Sequence, residues 1–589
     1  MCGIAGVMMR DGSTPPAAVL DKLERALLHR GPDGAGRYVA GGVGFVHRRL
    51  SVIDLKTGAQ PLFGPQGTVL VANAEIYNYV ELRRGLLSDV RHATASDCET
   101  ILHLYNRQRA GFVQHLRGMY AFALYDPTKG NLILSRDPFG IKPLYYAETA
   151  SCIAFASEPQ ALVAAGLVVA ELEPQASREL LQLQFITGAQ TAFKGVRRLL
   201  PGETLVFNGG GVVSRTIQQA LPEAPPLAAL DEGDALEQLD QRLMDSVQIH
   251  QRSDVPYGIF LSGGIDSRAI LACMARLGTA GVRAYTASFP NTSVPDEYPS
   301  AHKAALLFGA RTTRVEVTAE SFWSALPSVA ARMDDPTADA ASVPTFILAR
   351  EAAKDVKVVL CGEGGDEIFA GYSRYRRQSR PWWLAGRQRR RRGPFSGAGV
   401  LREEPTGWRD GLAESERASR IGGRSRLQIA QATDCADFLA HGLLTKLDRS
   451  LMAHGLEGRT PFLDRQIADF GFVLPKSLQI KNRRGKYLLR RWLDRQAPQD
   501  DCFARKKGFT PPYLAWLRAA GERLGPLVAA DAAIDELCHP QAVERLFLSD
   551  NDRDLEAAWT LLFFALWHRQ HIRGVAPDGD TLACLAGQA

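Results

Sequence analysis

The chain has 589 residues, 46% hydrophobic and 23% charged, the balance of a folded globular protein rather than a disordered one, and its length sets a prior of roughly three domains or two large ones. No apolar run reaches the ~18 residues that span a bilayer, the opening MCGIAGVMMR carries no secretory signal, and 70 basic against 64 acidic residues leave a net charge of +6, too near neutral for this length to argue for nucleic acid. Nine cysteines, odd in number and without a CxxC pair, support neither a disulfide framework nor a zinc site and point to a reducing, cytoplasmic setting.

Residues 1–215 read as short strands. Val69–Ala74, Tyr120–Tyr125, Leu132–Ser135, Leu144–Ala147 and Cys152–Ala156 are apolar or alternating runs bounded by Gly, Asp, Asn and Pro. Helical patterns here are confined to Pro16–His29 and Asp97–Arg109, so the expected fold is an α+β sheet sandwich with helices outside. Gly209-Gly210-Gly211 predicts a hairpin turn, and Leu221–Leu230 (LPEAPPLAAL) a linker.

From Asp231 long amphipathic helices alternate with short β-rich runs. Asp234–His250, Asp266–Leu277 and Tyr298–Phe308 predict helices; Tyr257–Leu261, Arg283–Phe289 and Val356–Cys361 predict strands. Such alternation predicts an α/β domain with a parallel sheet. The pattern turns mainly helical beyond about Arg376, with Ala557–Trp567 a buried helix and Gly574–Ala589 a loose tail. The expected domains are therefore 1–215, a linker at 216–230, 231–575, and a tail at 576–589. Nine arginines between Arg374 and Arg392 read as a solvated surface segment.

Cys2 has an unusual address. If Met1 is removed, its own α-amine, with a pKa of roughly 7.7–8.0, is a base beside the thiol. Taken alone, a cysteine at position 2 carries little weight. It is followed, however, by His29-Arg30-Gly31-Pro32-Asp33-Gly34, Arg49-Leu50-Ser51-Val52-Ile53-Asp54, Asn73-Ala74-Glu75-Ile76-Tyr77-Asn78, Ser96-Asp97-Cys98-Glu99 and Asp137-Pro138-Phe139-Gly140-Ile141-Lys142-Pro143-Leu144. In these ordered motifs the first 200 residues resemble the class II glutamine amidotransferases, which have the N-terminal nucleophile type of fold. The resemblance implies that Cys2 attacks the side-chain amide of glutamine. Asn73 and the backbone N–H of Ala74 would form the oxyanion hole, and Arg49, Ile53, Asn73, Glu75 and Asp97 would bind glutamine, Arg49 at the α-carboxylate and Glu75 and Asp97 at the ammonium. Arg30 would brace the loop near Cys2. The family pattern has glycine where this chain has Ala74 and Ala95. Alanine keeps the N–H, and the hole survives wherever φ is negative.

In the second half, Val255–Leu261 runs as a strand into Ser262-Gly263-Gly264-Ile265-Asp266-Ser267, and a helix follows. A glycine turn at a helix N-terminus offers backbone N–H groups to an anion, and the missing GK[ST] excludes a Walker P-loop. Cys361-Gly362-Glu363-Gly364-Gly365-Asp366-Glu367 is a second, acidic glycine loop that suits Mg²⁺. Downstream stand Lys446-Leu447-Asp448-Arg449, His454-Gly455-Leu456-Glu457, Pro461-Phe462-Leu463-Asp464, Gly485-Lys486-Tyr487-Leu488-Leu489-Arg490 and Lys506-Lys507-Gly508-Phe509. The set resembles the ATP pyrophosphatases and, in this order, the glutamine-hydrolysing asparagine synthetases.

The resemblance implies an ATP site of Leu261, Ser262, Gly263, Gly264, Asp266, Ser267, Ala287, Cys361 and Gly362. It implies Mg²⁺ on Asp266 and Asp366, Glu363 as proton acceptor for ammonia, and Lys486 stabilising charge in adenylation. The expected reaction is glutamine- and ATP-dependent amidation of aspartate through β-aspartyl-AMP, with ammonia passed between two sites. Amidation of another carboxylate, such as a sugar acid or a specialised metabolite, is the nearer alternative, because Asp335–Pro344 (DPTADAASVP) offers no arginine for an α-carboxylate; a non-catalytic scaffold is the distant one. The expected partners are these small molecules, with neither nucleic acid nor membrane, and a homodimer is compatible with the chain.

Overall fold

The computed structural model describes residues 2–279, 281–380, 392–504 and 510–587. The Lys506-Lys507-Gly508-Phe509 motif and positions 381–391 of the arginine-rich stretch lie outside the described residues. Arg374, which opens that stretch, departs from the expected solvated segment: its guanidinium stacks 3.8 Å from the Tyr372 ring centroid and pairs with Asp434 at 2.6 Å.

Twelve strands build two antiparallel sheets in the first part of the chain: β1 (Cys2–Met9), β2 (Gly34–Ala40), β3 (Val43–Arg49), β4 (Leu62–Phe63), β5 (Val69–Ile76), β6 (Gly118–Asp126), β7 (Asn131–Arg136), β8 (Tyr145–Glu148), β9 (Cys152–Ala156), β10 (Val196–Arg198), β11 (Glu203–Asn208) and β12 (Gly211–Ile217). One sheet runs β10-β8-β9-β1-β3-β2 and the other β12-β11-β7-β6-β5-β4. Strand alternation sends Ile4 and Met8 of β1, with Val69 and Val71 of β5, into the core between the sheets. Ala5 and Val7 face the helix Ala17–Ala26, and Leu70, Ala72 and Ile76 face the helix Glu99–Gln108. Both faces of each sheet are thus covered. The hairpin at Gly209–Gly211 forms between β11 and β12.

Two expectations are corrected here. Three further helices, Tyr79–Arg84, Pro159–Ala164 and Pro174–Leu183, join the two expected. Pro159 and Pro174 read as breakers in a linear pattern, but each sits at a first helical position, where a missing N–H costs nothing. β1 and β3 escape pattern reading because glycines interrupt their apolar runs. Gly6 is required there: a Cβ would lie 2.6 Å from Gly44 O and 2.7 Å from the Phe45 ring.

Five parallel strands form the third sheet: β13 (Tyr257–Phe260), β14 (Arg283–Ser288), β15 (Arg311–Glu316), β16 (Val358–Leu360) and β17 (Glu457–Arg459), in the order β15-β14-β13-β16-β17. The chain walks outward from β13 in one direction and then returns to add β16 on the other side. The loops leaving β13 and β16 therefore diverge and open a crevice at the carboxyl ends of these neighbours, where doubly wound sheets bind ligands.

The stretch expected to be a linker is docked rather than free. Arg424 donates to the carbonyls of Leu221 (3.2 Å) and Pro222 (3.1 Å), and the Leu227 N–H donates to Val473 O at 2.8 Å. The tail also folds: Asp580 caps the helix Thr581–Ala586, Leu585 is buried, and Arg569 Nη1 donates to Leu585 O at 3.1 Å. The largest core cluster runs without a break from Ala5 and Val7 to Trp559 and Trp567. Among the described residues no helix is long and apolar enough to cross a membrane; Ala557–Trp567 is the buried middle of the helix Asp552–His571.

Candidate active sites

Cys2 begins β1, and the register sets it opposite Arg49 of β3. Both ends of its peptide unit are held: the N–H donates to Asn73 Oδ1 at 3.0 Å, and the C=O accepts from Arg30 Nε at 3.2 Å. Burial pushes the thiol up, while a hydrogen bond from the Leu50 backbone and the Arg49 charge pull the other way. Asn73 Oδ1 takes the Cys2 N–H, and its buried Nδ2 has no partner.

Ala74 lies in extended backbone opposite Tyr120, and neither it nor Ala95 has a positive φ. The two alanines therefore stand where the family pattern has glycine without strain. Successive N–H groups of a strand point to opposite edges. Those of Ala72 and Ile76 go to Gln60 Oε1 and Asp97 Oδ2, each at 2.6 Å, on the edge away from β6. The Ala74 N–H faces that same edge, between them.

The remaining predicted glutamine residues lie around this edge, each with a protein partner. Arg49 Nη2 donates to the carbonyls of Asp54 (2.5 Å) and Ile53 (3.4 Å). Asp97, whose carboxyl is pushed up by burial, accepts the Ile76 N–H. Glu75 Oε2 lies 3.0 Å from Arg459 Nη2, a residue the motif reading passed over. The loop before Asp97 is pinned by Asp54, which accepts the Ala95 N–H at 3.0 Å, and by Glu99, which accepts the N–H groups of Ala93 and Thr94 at 2.7 Å each.

The second site fills the crevice between β13 and β16. A cavity of about 480 Å³ is lined by Leu261, Ser262, Gly264, Asp266, Ser267, Ala287, Gly362, Glu363 and Asp366, so the two glycine loops, far apart in sequence, form one wall. Ser267 Oγ accepts the Ser262 N–H at 3.1 Å and Ser262 Oγ accepts the Gly264 N–H at 3.1 Å, closing the turn over the N-terminus of the helix Ile265–Arg276. Gly263 donates its N–H to Glu297 Oε2 at 3.3 Å. Cys361 does not line the cavity: it is buried at the end of the strand, with its thiol on Val359 O and its N–H donating to Arg459 O at 2.7 Å.

Lys486 lies beneath the wall. Its Nζ is 2.5 Å from Asp266 Oδ2 and 2.8 Å from Asp366 Oδ1. Burial disfavours the ammonium, but these two carboxylates outweigh it and hold the lysine pKa above its usual value. The residue pays for this with φ = 56°, a strained backbone of the kind found at functional sites. Position 371 has to be glycine, since a Cβ there would sit 2.0 Å from Asp366 Oδ1 and 2.3 Å from Lys486 Cε.

Glu363 faces the cavity with its carboxyl pushed up by burial and pulled back by Lys446. Lys446, Asp339, Glu367 and Tyr372 also line the space. Glu367 is pushed up to about 7 by burial and by the neighbouring Asp366, and it accepts from Tyr372 Oη at 2.7 Å. Lys446 and Glu367 stand inside two of the sequence motifs, whereas Asp339 and Tyr372 carry no local signal.

Both halves of the chain match known protein families. Residues 238–569 match the asparagine synthase family, and residues 1–218 match the glutamine amidotransferase domain family. The chain belongs to the asparagine synthase family. A Mycobacterium tuberculosis H37Rv protein, provisionally named a glutamine-hydrolysing asparagine synthetase, is 35% identical over 96% of this chain and 97% of its own length. Asparagine synthetase 1 of Bacillus subtilis 168 is 30% identical over 97% of both chains, and amidase chyE of Penicillium rubens is 27% identical over 98% and 99%. This synthase is thus a glutamine-dependent ligase that uses glutamine and ATP as small-molecule substrates.

The downstream motifs gain a second meaning in the asparagine synthase fold, because several of them join the halves. Asp448 takes Arg30, and Asp464 takes Arg117 Nε at 2.7 Å. Gly458 O accepts from Lys142 Nζ at 3.3 Å. Arg198 pairs with Asp335 across the join, and within the synthase half the neighbouring Asp334 takes Arg449 Nε at 2.7 Å.

Proposed function

We propose that the enzyme makes asparagine from aspartate, glutamine and ATP. Cys2 attacks the side-chain amide carbon of glutamine and ammonia leaves. The oxyanion is met by Asn73 Nδ2 and the Ala74 N–H, and water then releases glutamate from the thioester. Arg49 takes the α-carboxylate of glutamine, and Glu75 and Asp97 its ammonium. Ammonia passes inside the protein, because in bulk water near neutrality it would be held as ammonium.

In the synthase cavity the aspartate β-carboxylate attacks the α-phosphorus of ATP, pyrophosphate leaves, and β-aspartyl-AMP forms. Ammonia displaces AMP, with Glu363 accepting a proton from the incoming nitrogen. Ser262, Gly263, Gly264 and Ser267 hold phosphate, while Leu261, Ala287 and Gly362 border the nucleoside. The donor set fits Mg²⁺: Asp266 and Asp366 line the cavity and would supply oxygen ligands of the kind it prefers, leaving its other positions to phosphate and water. When bound, Mg²⁺ would offset the charge of the departing pyrophosphate.

The observation that supports this reading most is the meeting of the Ser262–Ser267 and Gly362–Asp366 loops over Lys486. The test is pyrophosphate release with glutamine, ATP and a panel of carboxylates. Aspartate is expected to give stoichiometric AMP and asparagine; ADP as product would overturn the chemistry.

A second reading has its own support. The described cavity lining holds no arginine, and its lysine, Lys446, is paired with Asp339 at 2.8 Å. With amidase chyE similar over nearly the whole length, this favours a different carboxylate acceptor, which the same panel would reveal.

A further inference from the structure

Arg459 closes β17 and serves both halves of the molecule. Its backbone runs beside Leu360 of β16, and its C=O accepts the N–H of Cys361, the first residue of the loop that carries Glu363. Its side chain crosses the join to Glu75, 3.0 Å away, on the strand that carries Asn73 and Ala74. The guanidinium cannot swing: Nη1 donates to His250 O (2.8 Å) and Arg252 O (2.7 Å), Nε donates to Glu457 Oε1 (2.6 Å), and the group lies over the Tyr77 ring. It has no exposed surface.

Glu75 needs such a cation. It is buried, with the like charges of Glu457 and Asp97 close by, and these effects hold its carboxyl above the usual range, while the Arg459 guanidinium pulls the other way. The pair also meets without an aligned hydrogen bond, because neither Glu75 Oε2 nor Arg459 Nη2 has one. The carboxylate oxygen beside the guanidinium can therefore still receive a donor.

We propose that Arg459, supplied by the synthase half, is a positioning residue of the glutamine site: it fixes the Glu75 carboxylate to receive the α-ammonium of glutamine and ties that carboxylate to the loop of Glu363. The proposal rests on the reading of the Cys2 region as the glutaminase site. It adds a residue from outside the amidotransferase match at 1–218.

The test is steady-state kinetics of the full chain and of R459M, R459K, E75Q and E75Q/R459M, following glutamine hydrolysis and ammonia-driven synthesis separately. R459M is expected to raise the glutamine KM about tenfold or more with kcat within about threefold, the signature of lost binding common to ground and transition states. R459K, which keeps a cation without the planar fork, should raise KM about threefold. Ammonia-driven synthesis should stay within about twofold, and R459M should add less than about twofold in the E75Q background. Equal loss of both activities at unchanged KM, full multiplication of the two effects, or an unchanged KM in R459K would overturn the proposal. Where R459M does not fold, R459K decides. An unmodified chain that hydrolyses no glutamine overturns the underlying reading as well.

Discussion

Arg30 and Asp448 form a two-pronged ion pair across the join of the two halves, Nη1 to Oδ2 at 2.8 Å and Nη2 to Oδ1 at 3.1 Å. Arg30 is fully buried, and the same guanidinium holds Glu158 at 2.8 Å and the Cys2 carbonyl at 3.2 Å. The helix Leu444–Met452, which carries Asp448, also carries Lys446 of the synthase cavity. Breaking the pair from one side strands a buried charge. Asp448→Leu is expected to cost about 3 kcal/mol in denaturant unfolding, and R30M/D448L to cost less than the two single variants added together, by about 1 kcal/mol or more. A double variant as unstable as the sum of the singles would refute the pairing as a buried unit.

Cys2 is the sole sulfur proposed to act on glutamine. Cys2→Ala should abolish glutamine-driven synthesis and leave ammonia-driven synthesis within about twofold, since the two sites are separate. Mass spectrometry of the purified protein should show a chain starting at Cys2. Loss of both activities in C2A would contradict the two-site arrangement.

Asn73 has a buried Nδ2 without a hydrogen-bond partner, and its Oδ1 holds the Cys2 N–H. Replacing it with alanine is expected to lower kcat for glutamine hydrolysis roughly 100- to 1,000-fold, the usual cost of one oxyanion donor. An effect confined to KM would mean that Asn73 only binds.

Lys486 is the cation between Asp266 and Asp366. Lys486→Met leaves two carboxylates facing each other at the phosphate loops. Synthesis from either nitrogen source should fall about 100-fold or more while glutamine hydrolysis persists. A fall in glutamine-driven synthesis alone would place the lysine in coupling rather than in adenylation.

Glu99 gives a pH prediction. Burial raises its carboxyl, but His103, Thr94 and the Ala93 and Thr94 N–H groups outweigh that and lower it from 4.5 to about 2. A lowered native pKa gives stability that is present above about pH 4.5 and lost as pH falls toward 2. The contribution is on the order of 2 kcal/mol. The gap in melting temperature between the parent and E99Q should therefore be widest near neutrality and shrink below pH 4.5; a constant gap would argue against the titration.

Local chemistry was legible in the sequence because it is written over a few residues. An apolar strand entering Ser262-Gly263-Gly264, the acidic glycine loop at Gly362–Asp366, and a cysteine at position 2 each state a turn or a nucleophile within one motif. The alternation of strands and helices after Asp231 predicted the parallel sheet, although β15, an exposed polar edge strand, and the three-residue β17 gave no pattern to read.

Only the tertiary structure decided which buried charges meet. Arg30 and Asp448 are 418 residues apart, and Lys486 and Asp266 are 220 apart. No periodicity records such pairs, because a buried ion is matched by whatever the packing brings within about 3 Å. The same reason explains Arg459, which no motif singled out and which the fold set beside Glu75. For this protein the sequence alone determined the two chemistries, and the packing of one half on the other decided which side chains complete each site.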